Sequence, residues 1–497
     1  MNKLIKPRVL IVGAEVAPFA KVGGLGDYVG SLPKALASQN ITTAVAAPFH
    51  EVITQKEVKP LRRIGQMTVS FYDQPEVVTI WQTNLPQSTV PVYLFHNQHY
   101  LSRGEIYTST TVWDPVAKKM ASPRRREVLR YLFFSQVLAF WLEQQPKHFN
   151  VVHVNDWHLA PLCALLKARY ATAAIRTLLT IHNVDIGWRG AAKPIRIVGK
   201  YLNLLPPELR AMIDWRTVQE QGYLRIFELG IANADIICTV SKQYAKELLT
   251  PYYGKGLEQL LRTRTGRFHA VLNGIDTSVF NPMTDPAVWQ HYSVRSIVKR
   301  QSNKMLFQQR LKFTVDPTIP LLGMVARVTD QKGFDLLLDI VPKLKRWHVQ
   351  CVIAGVGDKR LEASLKRIQR RYRNWFYFHN TFDLKFSQRV YASSDLFLMP
   401  SYYEPCGLAQ LIAMRYGAVP IVHATGGLKD TVQDGRTGFT FAPATAKQFA
   451  DAISAALRVY RSQPRRWARY VKAAMTADHS WEKSAHEYSK LYRRLLY

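Results

Sequence analysis

Between Ser394 and Leu428 the chain alternates strand, polar turn, helix, strand, glycine turn and helix start, and this alternation restricts the fold more than any other feature. Ser394-Asp-Leu-Phe-Leu-Met399 is a short apolar run of strand length. The turn Pro400-Ser-Tyr-Tyr-Glu-Pro-Cys-Gly-Leu408 follows, then apolar residues at helical spacing that stop at Gly417. Ala418-Val-Pro-Ile-Val422 is a second apolar run, ending on Thr425-Gly-Gly-Leu428. Strands and helices that alternate in this way form a parallel sheet covered by helices on both faces. In such sheets ligands bind beyond the carboxyl ends of the strands, so Ser401–Gly407 and His423–Gly427 are placed together on the ligand edge.

The alternation runs through the whole chain in two series. The first begins at Arg8-Val-Leu-Ile-Val12, which leads through the glycine-containing loop Gly13–Asp27 into a predicted helix over Tyr28–Ser38. Strands are predicted at Thr42–Ala47, Thr68–Phe71, Val77–Gln82 and Val90–Phe95, the hairpin-like spacing suggesting an insertion on the sheet. Residues 101–126 are polar and aperiodic and read as a mobile loop, followed by a helix over Glu127–Gln144. Val151–Val154, Thr177–Ile181 and Asp235–Thr239 add strands, and Val271-Leu-Asn-Gly-Ile-Asp276 closes the first half. After a helix over Ser296–Arg310, a second series starts at Leu321–Val325 and continues at Val349–Ala354, Phe376–Phe378, Asp395–Met399 and Val419–Val422. The expected fold class is therefore α/β, with two Rossmann-like, doubly wound parallel-sheet domains and no sequence repeat linking them.

With 497 residues the chain is too long for one core. No apolar run reaches the roughly 18 residues of a membrane helix, and the N-terminal apolar run ends at Glu15 with no cleavage-type site, so it reads as a strand. Cys163, Cys238, Cys351 and Cys406 are far apart, suggesting neither a zinc site nor a disulfide framework and fitting a reducing cytoplasm; a plastid would apply only to a plant chain, and no transit peptide is seen. The net charge of +31 raises polyanions as partners. The densest basic groups are Arg124–Arg126, Lys366–Arg373 and Arg458–Lys472, the last two on helical patterns, and no nucleic-acid module is present. A solvated basic face is thus expected, with neither a nucleic-acid nor a membrane partner.

Several residues stand where such folds keep their chemistry. Lys21 precedes Gly23, Gly24 and Gly26, glycines that let a ligand approach the backbone at a helix start, although the spacing is not that of a dinucleotide fingerprint. Asp156 and His182 each follow a strand. Arg327 and Lys332 are two cations after the first strand of the second series, suited to a diphosphate whose charge grows as a glycosyl bond breaks. Glu404 could accept hydrogen bonds from sugar hydroxyls or support a developing oxocarbenium ion.

These segments resemble the bacterial glycogen synthases and plant starch synthases, retaining GT-B glycosyltransferases that use ADP-glucose. Lys21-Val-Gly-Gly-Leu-Gly-Asp27 resembles their first signature; Glu404-Pro-Cys-Gly-Leu408, Met414-Arg-Tyr-Gly417 and Thr425-Gly-Gly-Leu428 resemble the second. Asn155-Asp-Trp-His158, His182-Asn183, Leu272-Asn-Gly-Ile-Asp276, Arg327 through Lys332-Gly333 and Ser480-Trp-Glu-Lys-Ser-Ala485 fall in the family's order. The resemblance implies a GT-B fold with an acceptor-side domain over 1–275, a donor-side domain over 276–482, and a helix over 483–497 crossing back to the first. It further implies a deep cleft that must close for catalysis.

The resemblance implies that Lys21 contacts the donor, His182 the transferred glucose and Asp156 the reaction centre. Arg327 and Lys332 would neutralise the pyrophosphate, and Glu404 would hold glucose hydroxyls, Gly426 and Gly427 offering N–H groups. Gly23, Gly24, Asp27, Asn183, Asn273, Cys406, Gly407 and Thr425 are implied to line the substrate. The reaction would retain configuration without metal or cofactor, transferring glucose from ADP-glucose to the non-reducing end of an α-1,4-glucan, so the implied partners are a nucleotide sugar and an α-glucan. Many retaining relatives hold the ribose with a second glutamate eight residues after the first; here that position is Ile412, as in glycogen and starch synthases, which argues against a sucrose- or trehalose-type transferase. Asp185–Gly190 and His96-Asn97-Gln-His99 depart from the family pattern in the acceptor-side half. The alternatives are a UDP-sugar transferase with another acceptor, and a polyanion-binding protein on a degenerate transferase fold.

Overall fold

A computed structural model of the chain describes residues 6–53, 58–71, 74–107, 113–114, 119–120, 123–145, 148–169, 175–184, 191–192, 220 and 224–497. The Asp185–Gly190 departure lies outside the described residues, as do residues 108–112, 115–118 and 121–122 of the expected loop. The chain divides into two compact units. Unit 1 holds residues 1–240, 245–272 and 481–497; unit 2 holds residues 241–244 and 273–480.

Unit 1 is built on a nine-stranded sheet. Its strands are β1 (Arg8–Val12), β2 (Thr42–Pro48), β3 (Arg62–Phe71), β4 (Gln74–Asn84), β5 (Pro91–His96), β6 (Val151–Asn155), β7 (Arg176–Ile181), β8 (Ile236–Thr239) and β9 (Phe268–Ala270). Their order is β9-β8-β7-β6-β1-β2-β5-β4-β3. All neighbours are parallel except β3–β4 and β4–β5, so the hairpin-like pieces extend one edge of the same sheet. The last strand is Phe268–Ala270, and Val271–Asp276, which closes the first half, follows it outside the strand. Central strands are buried on both faces, so Val9–Val12 reads as a continuous apolar run, while buried Val151–Asn155 also carries His153 and Asn155.

Helix α1 (Gly24–Ser38) follows β1, α2 (Pro123–Glu143) precedes β6, α3 (Asp156–Arg169) follows it, and α4 (Ile226–Asn233) precedes β8. The helix predicted from Tyr28 starts four residues earlier, so the glycines form its first turn rather than the loop. At Gly30 a Cβ would lie 2.5 Å from the Ala17 carbonyl oxygen; only glycine lets the loop after β1 pack on the helix here.

Unit 2 opens with α5 (Arg300–Arg310), preceded by a 3-10 turn over Val294–Lys299 where the sequence predicted continuous helix. Its six-stranded sheet is wholly parallel, with β10 (Leu321–Val325), β11 (Gln350–Ala354), β12 (Phe376–His379), β13 (Leu396–Met399), β14 (Val419–His423) and β15 (Phe439–Phe441) in the order β12-β11-β10-β13-β14-β15. Three-residue β15 went unread because it is too short for a periodic signal. The covering helices are α6 (Phe334–Arg346), α7 (Lys359–Arg371), α8 (Leu384–Ser393), α9 (Ala409–Arg415), α10 (Gly426–Thr431), α11 (Ala446–Ser462) and α12 (Pro464–Thr476).

The final helix, α13 (Trp481–Leu496), belongs to unit 1 and packs on α1. Trp481 and Tyr488 sit edge-on to the ring of Tyr28, and the Tyr492 hydroxyl lies 2.7 Å from His153 Nδ1 on β6. Among the described residues no helix is long and apolar enough to cross a membrane.

Candidate active site

Among its parallel strands each sheet reverses its order once: between β1 and β6 in unit 1, and between β10 and β13 in unit 2. A crevice opens at such a switch point. The turns there carry Glu15, Lys21, Asp156 and His182 in unit 1, and Arg327, Lys332 and Glu404 in unit 2.

In unit 1, Asp156 opens α3 directly from β6 with a φ of 58°. A non-glycine residue in that region is held by its surroundings. Its Oδ1 accepts the His182 N–H at 2.7 Å, joining the ends of β6 and β7. Asn155 donates its amide to the Val12 carbonyl at 3.0 Å, so its oxygen faces His182 Nε2 at 2.9 Å. Nε2 then carries the proton, and a neutral ring presents Nδ1 as an acceptor. Burial and neighbouring His158 hold the ring's pKa below the ordinary histidine value, against the pull of Asp156 and Glu15, so His182 is neutral at pH 7. The ring edge rests on Tyr28, 4.5 Å between centroids.

Lys21 is partly exposed and paired with Asp27 at 2.7 Å, which joins the two ends of the first signature. Glu15, unread as a site residue, organises that loop. Its Oε2 accepts the N–H groups of Val22 at 2.6 Å and Gly23 at 2.9 Å, and Tyr107 donates its hydroxyl to Oε1 at 2.5 Å. The Gly23 N–H is therefore bonded to a carboxylate, while Gly24 begins α1. For Glu15 the one trace in the sequence is an acid standing alone in the otherwise apolar run Gly13–Ala20; its burial appears only in the fold. Asn183 is half-buried beside His182. At the departure His96–His99, the Asn97 amide and the His99 ring both bind the Glu76 carboxylate, so these polar residues anchor the hairpin edge.

In unit 2 the turns after β10 and β13 are stitched together. Tyr402 N–H donates to the Gln331 carbonyl at 2.9 Å, and the Gln331 amide donates to the Tyr403 carbonyl at 3.1 Å. Lys332 Nζ lies 2.5 Å from Glu404 Oε2, both side chains largely buried, and Ser401 donates to the same oxygen at 3.2 Å. The lysine charge is thus balanced by the carboxylate. Arg327 is exposed and makes no ion pair among the described residues, so it is the uncompensated cation of this strand end.

The glycine turn differs from the expected donor cradle. The Gly427 N–H donates to the Glu404 carbonyl at 3.0 Å, and a Cβ there would collide with the Cys406 backbone. Gly427 therefore serves close packing of two turns, and its N–H is already bonded. Gly426 opens α10, with Thr425, buried, at its N-cap. Gly407 adopts a φ of 73°, a conformation that favours glycine. Cys406 is buried, which pushes its thiol up to about 12, so it stays neutral. Asn273 is nearly buried, and its side-chain oxygen has no hydrogen-bond partner among the described residues. Gly355-Val-Gly-Asp358 is pinned as a turn: Asp358 N–H donates to Val328, Gly357 N–H to Glu362. Ile412 lies in the apolar core of unit 2.

Comparison with known proteins joins these two sets of residues to one family. The model of the starch synthase catalytic domain matches residues 8–263, and that of glycosyl transferases group 1 matches residues 307–474. The glycogen synthase of Thermosipho melanesiensis is 34% identical over 98% of this chain and 99% of its own length. Those of Fervidobacterium nodosum and Streptococcus mutans are 36% and 34% identical, each over 98% of this chain and 98% and 100% of their own. Among solved structures, the catalytic domain of starch synthase IV from Arabidopsis thaliana, bound to ADP and acarbose, matches with a TM-score of 0.87 and 28% identity over 99% of this chain and 100% of that one. Sucrose-phosphate synthase from Thermosynechococcus elongatus shares the fold at a TM-score of 0.59 and 18% identity, covering 99% of each chain.

Proposed function

The chain belongs to the family of bacterial glycogen synthases and plant starch synthases, and from that premise we propose that it transfers glucose from ADP-glucose to the non-reducing end of an α-1,4-glucan with retention of configuration. At the coarser level it is a glucosyltransferase of GT-B fold. The observation that carries the finer reading is the buried Lys332–Glu404 pair beside exposed Arg327 at the switch point of unit 2. Breaking the glycosyl bond shifts negative charge onto the leaving diphosphate and positive charge onto the anomeric carbon. Arg327 and Lys332 answer the first charge. Once Lys332 turns to the phosphates, Glu404 is freed to accept from glucose hydroxyls.

Neutral His182 accepts a hydroxyl hydrogen bond at Nδ1 without adding a like charge near the oxocarbenium ion. Asp156 holds the backbone of His182 and stands at the acceptor side. The adenine nucleotide and the glucan are both supported by the starch synthase IV domain, which was solved with ADP and acarbose bound together. Apolar, buried Ile412 offers no carboxylate to a ribose, which sets this chain apart from transferases that use one. No metal or cofactor enters the scheme, and attack comes from the face that ADP leaves. Proton NMR of the product tests the reaction type: new α-1,4 linkages are expected, whereas free glucose or β linkages would overturn it.

A further inference from the structure

The glucan acceptor is neutral and leaves the net charge of +31 unexplained, but the fold of unit 2 gathers a large part of it. Residues 340–350, 363–376 and 452–477 hold fourteen Lys and Arg and no Asp or Glu. All fourteen are exposed except half-buried Lys343. They cover the C-terminal halves of α6, α7 and α11 and run along α12 from Arg465 to Lys472. Widely separated in sequence, these elements meet in space: α6 packs against both α7 and α11, and α11 against α12. Lys345 of α6 lies over the Tyr372 ring after α7, and Arg461 of α11 donates to the carbonyl of Trp347 at the end of α6. Helices α6 and α7 run back to the amino ends of β11 and β12, so this face is at the opposite edge of the sheet from Glu404.

Helix dipoles explain only part of this. Cations in a last helical turn are favourable, which accounts for Lys343, Lys345, Arg346, Arg370, Arg371 and Arg461. The same dipole disfavours Arg465 and Arg466 in the first turn of α12, which carries no acid. None of the fourteen makes an ion pair among the described residues; Asp316, whose neighbour Pro317 accepts from Tyr460 of α11, borders the face. A face that keeps like charges together at a cost to its own stability needs an external anion.

We propose that this basic face of unit 2 binds duplex nucleic acid through its phosphate backbone. Ten of the fourteen cations are arginine, whose forked guanidinium suits discrete phosphates. Four helices roughly 8–10 Å apart span about 30 Å, close to one turn of duplex. Tyr372 is covered by Lys345 and Arg371, and Trp467 packs on Tyr460, so no open ring invites base stacking and readout is independent of sequence. No large apolar side chain is exposed on the face, which lacks the anchors of a membrane-binding surface.

The test is fluorescence anisotropy of the full chain with a labelled two-turn DNA duplex across a salt series, with phosphatidylserine vesicles as the second arm. About six neutralised phosphates give a log–log salt slope near −5, roughly a thousandfold loss between 50 and 200 mM. The variant Arg367→Glu, Arg370→Glu, Arg465→Glu, Arg469→Glu should bind at least about tenfold more weakly with a shallower slope, while keeping glucosyl transfer to neutral glucan. A control carrying Arg62→Glu, Arg267→Glu, Arg295→Glu and Lys299→Glu lowers the net charge equally and should bind within about threefold of the parent. Equal loss in the control, undiminished binding by the first variant, or binding to vesicles but not to duplex would overturn the proposal.

Discussion

Glu404 and Lys332 set the terms at the scale of single residues. The pair is largely buried, so each charge depends on the other until a substrate takes one of them. Glu404→Ala should lower kcat by about a hundredfold or more, the scale of one lost transition-state contact, with donor KM changed less. Steady-state kinetics check this, and an active variant would make the residue structural. Glu15→Ala should destabilise unit 1 by about 2 kcal/mol in urea unfolding, because two N–H groups and the Tyr107 hydroxyl lose a charged acceptor. The positions of Asp156, His182 and Glu404 were legible because each follows a strand next to a turn signal, and that of Lys21 because it precedes the glycines of a helix start. Glu15 was not: its partners, Val22, Gly23 and Tyr107, lie up to 92 residues away, and its burial is a product of the fold. The bonding of the Gly427 N–H was equally hidden, since a glycine in sequence does not reveal whether it is there for a ligand or for the Cys406 turn.

Among the elements, α13 shows how a terminal segment becomes part of a distant core. It fills the side of α1 with aromatic rings and reaches His153 on β6 through Tyr492. Tyr492→Phe removes one hydroxyl and leaves a buried ring nitrogen without that partner. It should cost about 1–3 kcal/mol in urea unfolding, and an unchanged midpoint would show that the contact carries no stability. Elements with strong periodicity or β-branched runs were readable within a few residues. Those set by tertiary packing were not, as with the loop after β1, which packs on α1 where Gly30 meets Ala17, and with β15, which exists by pairing with β14.

On the scale of the whole molecule, charge and burial act together. His50, His153 and His182 of unit 1 are held below the ordinary histidine pKa, chiefly by burial, His50 at about 3. The unfolded chain binds protons that the folded chain refuses, so this stability is complete above about pH 7 and is lost as pH falls through the unfolded value near 6.5 towards the folded ones. Melting followed by circular dichroism should show Tm falling by roughly 5–10 °C from pH 7 to pH 5; a flat profile would contradict the burial of these rings as neutral groups. The sequence showed that charge was in excess but not that it was gathered, because α6, α7 and α11 become neighbours only in the folded sheet. The central claim, glucan synthesis from ADP-glucose, is tested most directly by incubating the purified chain and glycogen with labelled ADP-glucose or UDP-glucose and counting label in polymer. Incorporation from ADP-glucose, well above that from UDP-glucose, is the expected result; no incorporation from either donor would contradict the account.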